Sequence, residues 1–399
     1  MRWHSQVGIK TYPRVYYELL TSAFTLIMGM SLSSAFLPLF AKELDPSGLL
    51  VGLVSSAWFI SRIFTELPSG ILADRFGRRK LLVGGLGLSA VGAFLCSTAD
   101  VIHVLIVGRT LWGLGTGLFF MSSSATIFDL FKSSVRGRAL GTFQAIEFVG
   151  SFIGAPIGSF MVAFTQYSGV FIVASGLMVC SLIIALLSRG LRQMEEKRAG
   201  QAGVTLTDVL SSLRNWRLTS IYINSFSRML IMSGLTGTVF PLYLNLELGI
   251  GVELIGLIVT LRTLGVISAT AVSGLLSDRF GRKPIIALGM LIQVSCFFAY
   301  TTTSLLGALL LIGVVEGFGR GMVMTSIMVL LSEVVSPQIR GGAIGLYRTF
   351  MDVGGFVGPL FFMFVLEQLG SHSTFLSAIV ILAVNATLII AVKKPPEPE

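Results

Sequence analysis

The sequence predicts an all-α integral membrane protein, with twelve transmembrane helices in two pseudo-symmetric six-helix bundles. Three observations predict it. Hydrophobic residues make up 53% of the 399 positions and charged ones only 12%, about half the roughly 25% of a soluble domain. Apolar stretches long enough to cross a bilayer, about 20 residues each, follow one another along the chain. A short polar hinge, Gly70 to Lys80, recurs as Gly274 to Pro284, 204 residues later. A soluble α/β enzyme would need charged helix faces and loops between its strands, so that class is excluded. The net charge of +9 is explained by where the basic residues fall, and no nucleic-acid partner is expected.

Residues 1–18 are polar, with Arg2, Lys10 and Arg14. They lack an apolar core followed by a small-residue cleavage site, so no cleavable signal is expected. Six apolar segments follow at 19–41, 49–73, 81–98, 102–128, 139–164 and 169–187. After a polar stretch come six more, at 218–244, 254–277, 284–300, 305–331, 341–366 and 375–392. The expected organisation is an N-terminal bundle over 1–188, a linker over 189–217 and a C-terminal bundle over 218–399. Within the linker, 206–213 is expected as a short helix on the membrane surface.

Basic residues set the orientation. Of the 29 Lys and Arg, 22 fall at the ends and in the loops that share a side with both termini, and the opposite loops hold only Lys42. Basic loops stay in the cytoplasm, so termini and linker are expected there, in a multi-pass protein of the plasma membrane. The 204-residue offset also relates Gly113, Gly115 and Gly117 to Gly317, Gly319 and Gly321, and Asp129 to Glu333. Parallel repeats of this kind place a substrate site between the halves. Cys96, Cys180 and Cys296 lie in apolar segments and are expected as small buried residues. No metal cluster is legible, and no His sits at mid-membrane.

The hinge reads Gly70-Ile-Leu-Ala-Asp74-Arg75-Phe-Gly77-Arg78-Arg79-Lys80. Asp74 can cap a helix start or pair with Arg78, and Gly77 permits a tight turn. This pattern resembles the signature between the second and third helices in each half of major facilitator superfamily transporters. The resemblance implies that Gly70, Asp74, Arg75, Gly77, Arg78 and Asp129 form a latch between the halves in the outward-facing state. It implies the same for Asp278, Arg282 and Glu333 in the second half. The alternative is that these arginines only enforce topology.

Charges within the apolar segments are costly, about 2.5–3.5 kcal/mol each at mid-bilayer, and so should face the interior or a wet cavity. The candidate cavity residues are Arg62, Glu66, Arg228, Arg262, Glu316, Arg320 and Arg348. Arg62/Glu66, Glu316/Arg320 and Arg348/Asp352 are i,i+4 pairs of opposite sign, positioned to neutralise each other. Glu147 has no basic residue one turn away and is the first candidate proton carrier, with Asp352 the second. Burial would hold such a carboxyl protonated until water reaches it.

Arg109 stands in Arg109-x-x-Trp112-Gly113-x-Gly115-x-Gly117, which looks like the helix-4 motif whose arginine is linked to proton coupling in exporters. Gly141, Gly150, Gly154, Pro156 and Gly158 resemble the helix-5 motif of the drug/proton antiporter branch, with the proline displaced by one. The resemblance implies a secondary transporter that exports a drug-like or amphipathic molecule against protons. Organic-anion, acidic-lipid and sugar transport, in either direction, remain alternatives, as does a membrane sensor that binds without transporting. No GxxxxGK[ST] nucleotide loop is present. No cofactor, no metal and no enzymatic activity are expected. The expected partners are a small-molecule substrate, protons and the bilayer, around a monomer.

Overall fold

The computed structural model describes residues 12–66, 76–195, 213, 215–335 and 340–391. Among them there is no strand. Ten helical stretches are long and apolar enough to cross a membrane. Two of these, Ser133–Leu187 and Arg340–Ala391, have 55 and 52 residues and change direction at Gln166 and Gly370. Each therefore supplies two crossings, and the total is twelve.

In chain order, α1 is Arg14–Leu32 extended by Leu37–Leu44, α2 is Gly48–Glu66, α3 is Arg78–Ser97 and α4 is Ile102–Leu130. The two parts of Ser133–Leu187 are α5 and α6, and a short helix Arg189–Glu195 follows. Then α7 runs from Trp216 through Leu230 and on, by π-helical turns, to Glu247. Val252–Phe280 is α8, Arg282–Tyr300 is α9 and Leu306–Val334 is α10. The two parts of Arg340–Ala391 are α11 and α12. Gly70, Asp74, Arg75 and residues 206–212 lie outside the described residues.

Local chemistry explains the irregularities. The break in α1 falls where the Ser33 and Ser34 hydroxyls bond back to the carbonyls of Met30 and Ser31, competing with the helix ladder. Pro38 then sits at the start of the next helical segment. In α7, Pro241 brings no backbone N–H to the ladder, and the turns before it widen to the π form.

The repeat inferred from sequence is realised in backbone and packing. Gly77 and Gly281, 204 residues apart, both have positive φ (83° and 87°) at the turn into α3 and α9. Such a conformation favours glycine. Between α3 and α4, a Cβ on Gly85 would lie 2.6 Å from the Gly115 carbonyl, and one on Gly289 would lie 2.6 Å from that of Gly319. The small residues let these helices touch backbone to backbone, which is how helices associate in lipid. Glu43 accepts a bond from Tyr167 at 3.0 Å, and Glu247 accepts one from Ser371, at the same offset, at 2.9 Å.

Large apolar side chains such as Phe164, Leu275, Leu291, Phe298 and Phe364 point outward. In water this would be an aggregation hazard; against lipid tails it is the expected surface. Cys96 and Cys296 are buried as expected, but Cys180 is exposed. Placement in an apolar segment does not imply burial in protein here, because the outer face of a membrane helix is apolar too.

Candidate functional site

The two bundles meet along α2 and α11, and along α5 and α8. From the α2 start inward, the Gly48 amide donates to Glu367 at 2.5 Å and the Ser56 hydroxyl to the Phe356 carbonyl at 2.6 Å. Gly355 lies against the Phe59 ring, where any Cβ would collide. Deeper still, Arg62 and Asp352 form an ion pair at 3.4 Å, about 21 Å along α2 at 1.5 Å per residue. On the other seam Gly256 of α8 packs on Ser159 of α5. Apart from the Arg62 to Asp352 pair at mid-depth, these contacts lie in the half of the molecule away from the termini. Toward the terminus side, Glu147 keeps part of its surface and Arg348 is exposed.

Arg62 meets both Trp58 and Asp352. Its guanidinium stacks on Trp58 one turn earlier, 4.7 Å from the ring centroid, and the Asp352 side chain is only 2% exposed. Glu147 has Arg348 and Arg62 as its electrostatic neighbours, so α2 and α11 supply the cations that α5 does not offer one turn from it. Asp352 is therefore paired across the bundle seam. Arg348, its predicted partner, has no ion pair among the described residues and is exposed, within the electrostatic reach of Glu147. The side chain of Glu66 is not described.

In the second bundle Arg262 reaches Glu316 at 2.6 Å, both nearly fully buried. The contact is a close ion pair without an aligned hydrogen bond. Arg262 also stacks over Phe240 at 4.7 Å. Arg320, the predicted i,i+4 partner of Glu316, is not within ion-pair distance. Both corrections have one cause: a neighbour on a facing helix can meet a carboxylate more directly than one a turn away, whose side chain leans along the same helix. Arg228 donates to the Tyr347 hydroxyl at 3.2 Å and approaches the Met351 sulfur at 3.4 Å. Arg109 is buried over Trp112, 5.3 Å from its centroid, with no carboxylate in ion-pair reach among the described residues.

At the terminus-side ends, Arg78 pairs with Asp129 and donates to the Ala125 carbonyl at 2.8 Å. Arg282 binds Asp278 at 2.5 Å and Glu333 at 3.0 Å. Each of these pairs joins helices within one bundle. No group of three His, Cys, Asp or Glu capable of holding a metal occurs among the described residues.

Sequence reasoning found the charged residues and missed their partners. Trp58 had a legible signal, since it stands one helical turn before Arg62, a spacing suited to stacking. The Gly48 to Glu367 contact had none. Two surface hollows, one at Arg14, Glu18 and Arg189 and one at Pro156, Phe160 and Glu253, lie away from these ion pairs.

The sequence profile described as Major Facilitator Superfamily matches residues 19–231 and 221–399. The chain is 26% identical to multidrug resistance protein 1 of Bacillus subtilis (strain 168), over 94% of this chain and 96% of that one. It is 24% identical to the quinolone resistance protein NorA of Staphylococcus aureus, over 86% and 88%. Among solved structures, a bacterial homolog of the human lysosomal transporter Spinster, inward-facing and unoccupied, superposes with a TM-score of 0.76. It is 15% identical, with 95% and 97% of the two chains covered.

Proposed function

This chain belongs to the Major Facilitator Superfamily, and on that premise we propose that it exports drug-like, amphipathic small molecules in exchange for protons. It is a multi-pass membrane transporter and not an enzyme. The multidrug and quinolone resistance proteins among its relatives support the cargo class.

One observation carries the coupling: Asp352 of the second bundle is paired with Arg62 of the first. Protonating that carboxylate removes the charge that ties the bundles together at mid-depth. Deprotonating it restores the tie. A proton that binds at one membrane face and leaves at the other therefore acts directly on the seam that must open and close. Glu147, beside Arg62 and Arg348, is placed to pass or share that proton. Arg109 adds a buried positive charge to the first bundle and is assigned to coupling with them.

The termini face the cytoplasm of the plasma membrane in this reading, which the distribution of Lys and Arg supports, and the transporter opens to each side in turn. In the outward-facing arrangement, the Asp74, Arg78 and Asp129 cluster and its repeat at Asp278, Arg282 and Glu333 close the cytoplasmic end. The transporter works as a monomer. Reconstitution tests this reading: proteoliposomes with an imposed pH gradient should concentrate an amphipathic dye against its gradient. A protein that binds the dye but shows neither pH-driven transport nor counterflow would be a sensor, and the reading would fall.

A further inference from the structure

Within the second bundle, Arg228, Arg262 and Arg320 stand on α7, α8 and α10. Glu316 is taken by Arg262. Arg320 lies in the electrostatic field of Glu316, Arg262 and Arg228, yet makes no ion pair or hydrogen bond among the described residues. It keeps part of its surface accessible. Arg228 is 7% exposed and has no acidic partner among the described residues; its Nε has no acceptor among them, and its other end meets the Tyr347 hydroxyl and the Met351 thioether. One turn before it, Asn224 is fully buried with both amide atoms unpartnered.

Buried polar groups in proteins are normally paired, and a buried cation without its counter-charge is strongly unfavourable. The fold does not require this arrangement. At the repeat-related positions, 204 residues earlier, Trp58, Trp112 and Thr116 occupy the places of Arg262, Glu316 and Arg320. Gly113 and Gly317 pack on Trp58 and Arg262 in the same way. The same glycine contacts are thus built in the first bundle with no charged residue at these three positions.

We propose that Arg320 and Arg228 form an anion subsite between α7, α8 and α10, which takes the carboxylate or phosphate head of an amphipathic substrate. The proposal rests on the transporter reading and narrows its cargo. Arg320 offers the open guanidinium and Arg228 a second one. Arg262 is the supporting residue, kept in place by Glu316 and Phe240. The Tyr347 hydroxyl and the Asn224 amide provide neutral donors nearby.

The test is thermal-shift binding of decyl phosphate to the purified full-length protein in a neutral detergent without chloride, with decyltrimethylammonium as the cationic counterpart. Decyl phosphate should stabilise wild type and the surface control Arg189→Gln alike. Arg320→Gln should weaken binding about 10- to 100-fold, the loss expected for a charge-assisted bond, and Arg320→Lys should weaken it less. Competition by phosphatidylglycerol in mixed micelles would identify the head as a lipid's, and competition by octyl phosphate alone a soluble amphiphile's; both support the subsite. Unchanged affinity in Arg320→Gln would overturn it, as would equal stabilisation by sodium chloride alone. If the variant does not fold, wild type decides: binding decyltrimethylammonium as tightly as decyl phosphate refutes the subsite. Dye counterflow in the same preparations separates the two readings, since counterflow without anion binding rejects the subsite and leaves the transporter intact.

Discussion

The Asp352 carboxylate of α11 stands 3.4 Å from the Arg62 guanidinium of α2, and so links the two bundles at a point where each would otherwise carry a charge into the membrane. Removing one partner leaves the other charged and uncompensated. Asp352→Asn should therefore reduce pH-driven transport roughly 5- to 150-fold, the range of a typical coupling energy, while counterflow persists. Wild-type pH-driven rates in reconstituted Asp352→Asn protein would show that the pair has no part in coupling.

Glu147 sits on α5 with its nearest cations on other helices, Arg348 and Arg62. Glu147→Gln keeps the shape and removes the titrating group. The expected result is transport that exchanges substrate but no longer responds to a pH gradient. A full gradient response would assign Glu147 a purely structural place beside Arg348.

The α2 and α11 seam offers a direct check on alternating access. A Cβ at Gly355 would come within 2.5 Å of the Phe59 Cγ, so cysteines at the two positions fall close to the Cβ separation of about 3.8 Å that a disulfide needs. In a background lacking Cys96, Cys180 and Cys296, the pair Phe59→Cys and Gly355→Cys should cross-link on oxidation. Transport should then stop, and return on reduction. Continued transport in the fully cross-linked protein would mean that this seam never opens.

Gln166, at the bend between α5 and α6, has φ 58° and ψ 179°, a region almost reserved for glycine that costs about 1–3 kcal/mol for other residues. Its repeat-related counterpart is Gly370, with φ 78°. Gln166→Gly should raise the unfolding temperature with transport unaltered. A lower Tm would show that the side chain contributes more than the backbone conformation costs.

Much of this protein is legible in its sequence. Twelve crossings follow from the run of apolar segments, because a stretch of about 20 apolar residues pairs its own backbone in lipid only as a helix. The duplication follows from the 204-residue register, visible at Gly77 and Gly281 and again at Asp129 and Glu333. The residues of the candidate site were identifiable for the same reason: an Arg or Glu inside an apolar segment is too costly to be incidental.

The partners were not. Sequence spacing reports neighbours on one helix, and by that rule Asp352 belonged with Arg348 and Glu316 with Arg320. Tertiary packing instead brought Arg62 to Asp352 and Arg262 to Glu316, since two facing helices at the same depth can present side chains head-on. The uncompensated guanidinium of Arg320 emerged only from that exchange. Composition and periodicity determine that charges must be satisfied within the membrane; which charges meet, and which are left for a ligand, depends on how the helices are rotated against one another.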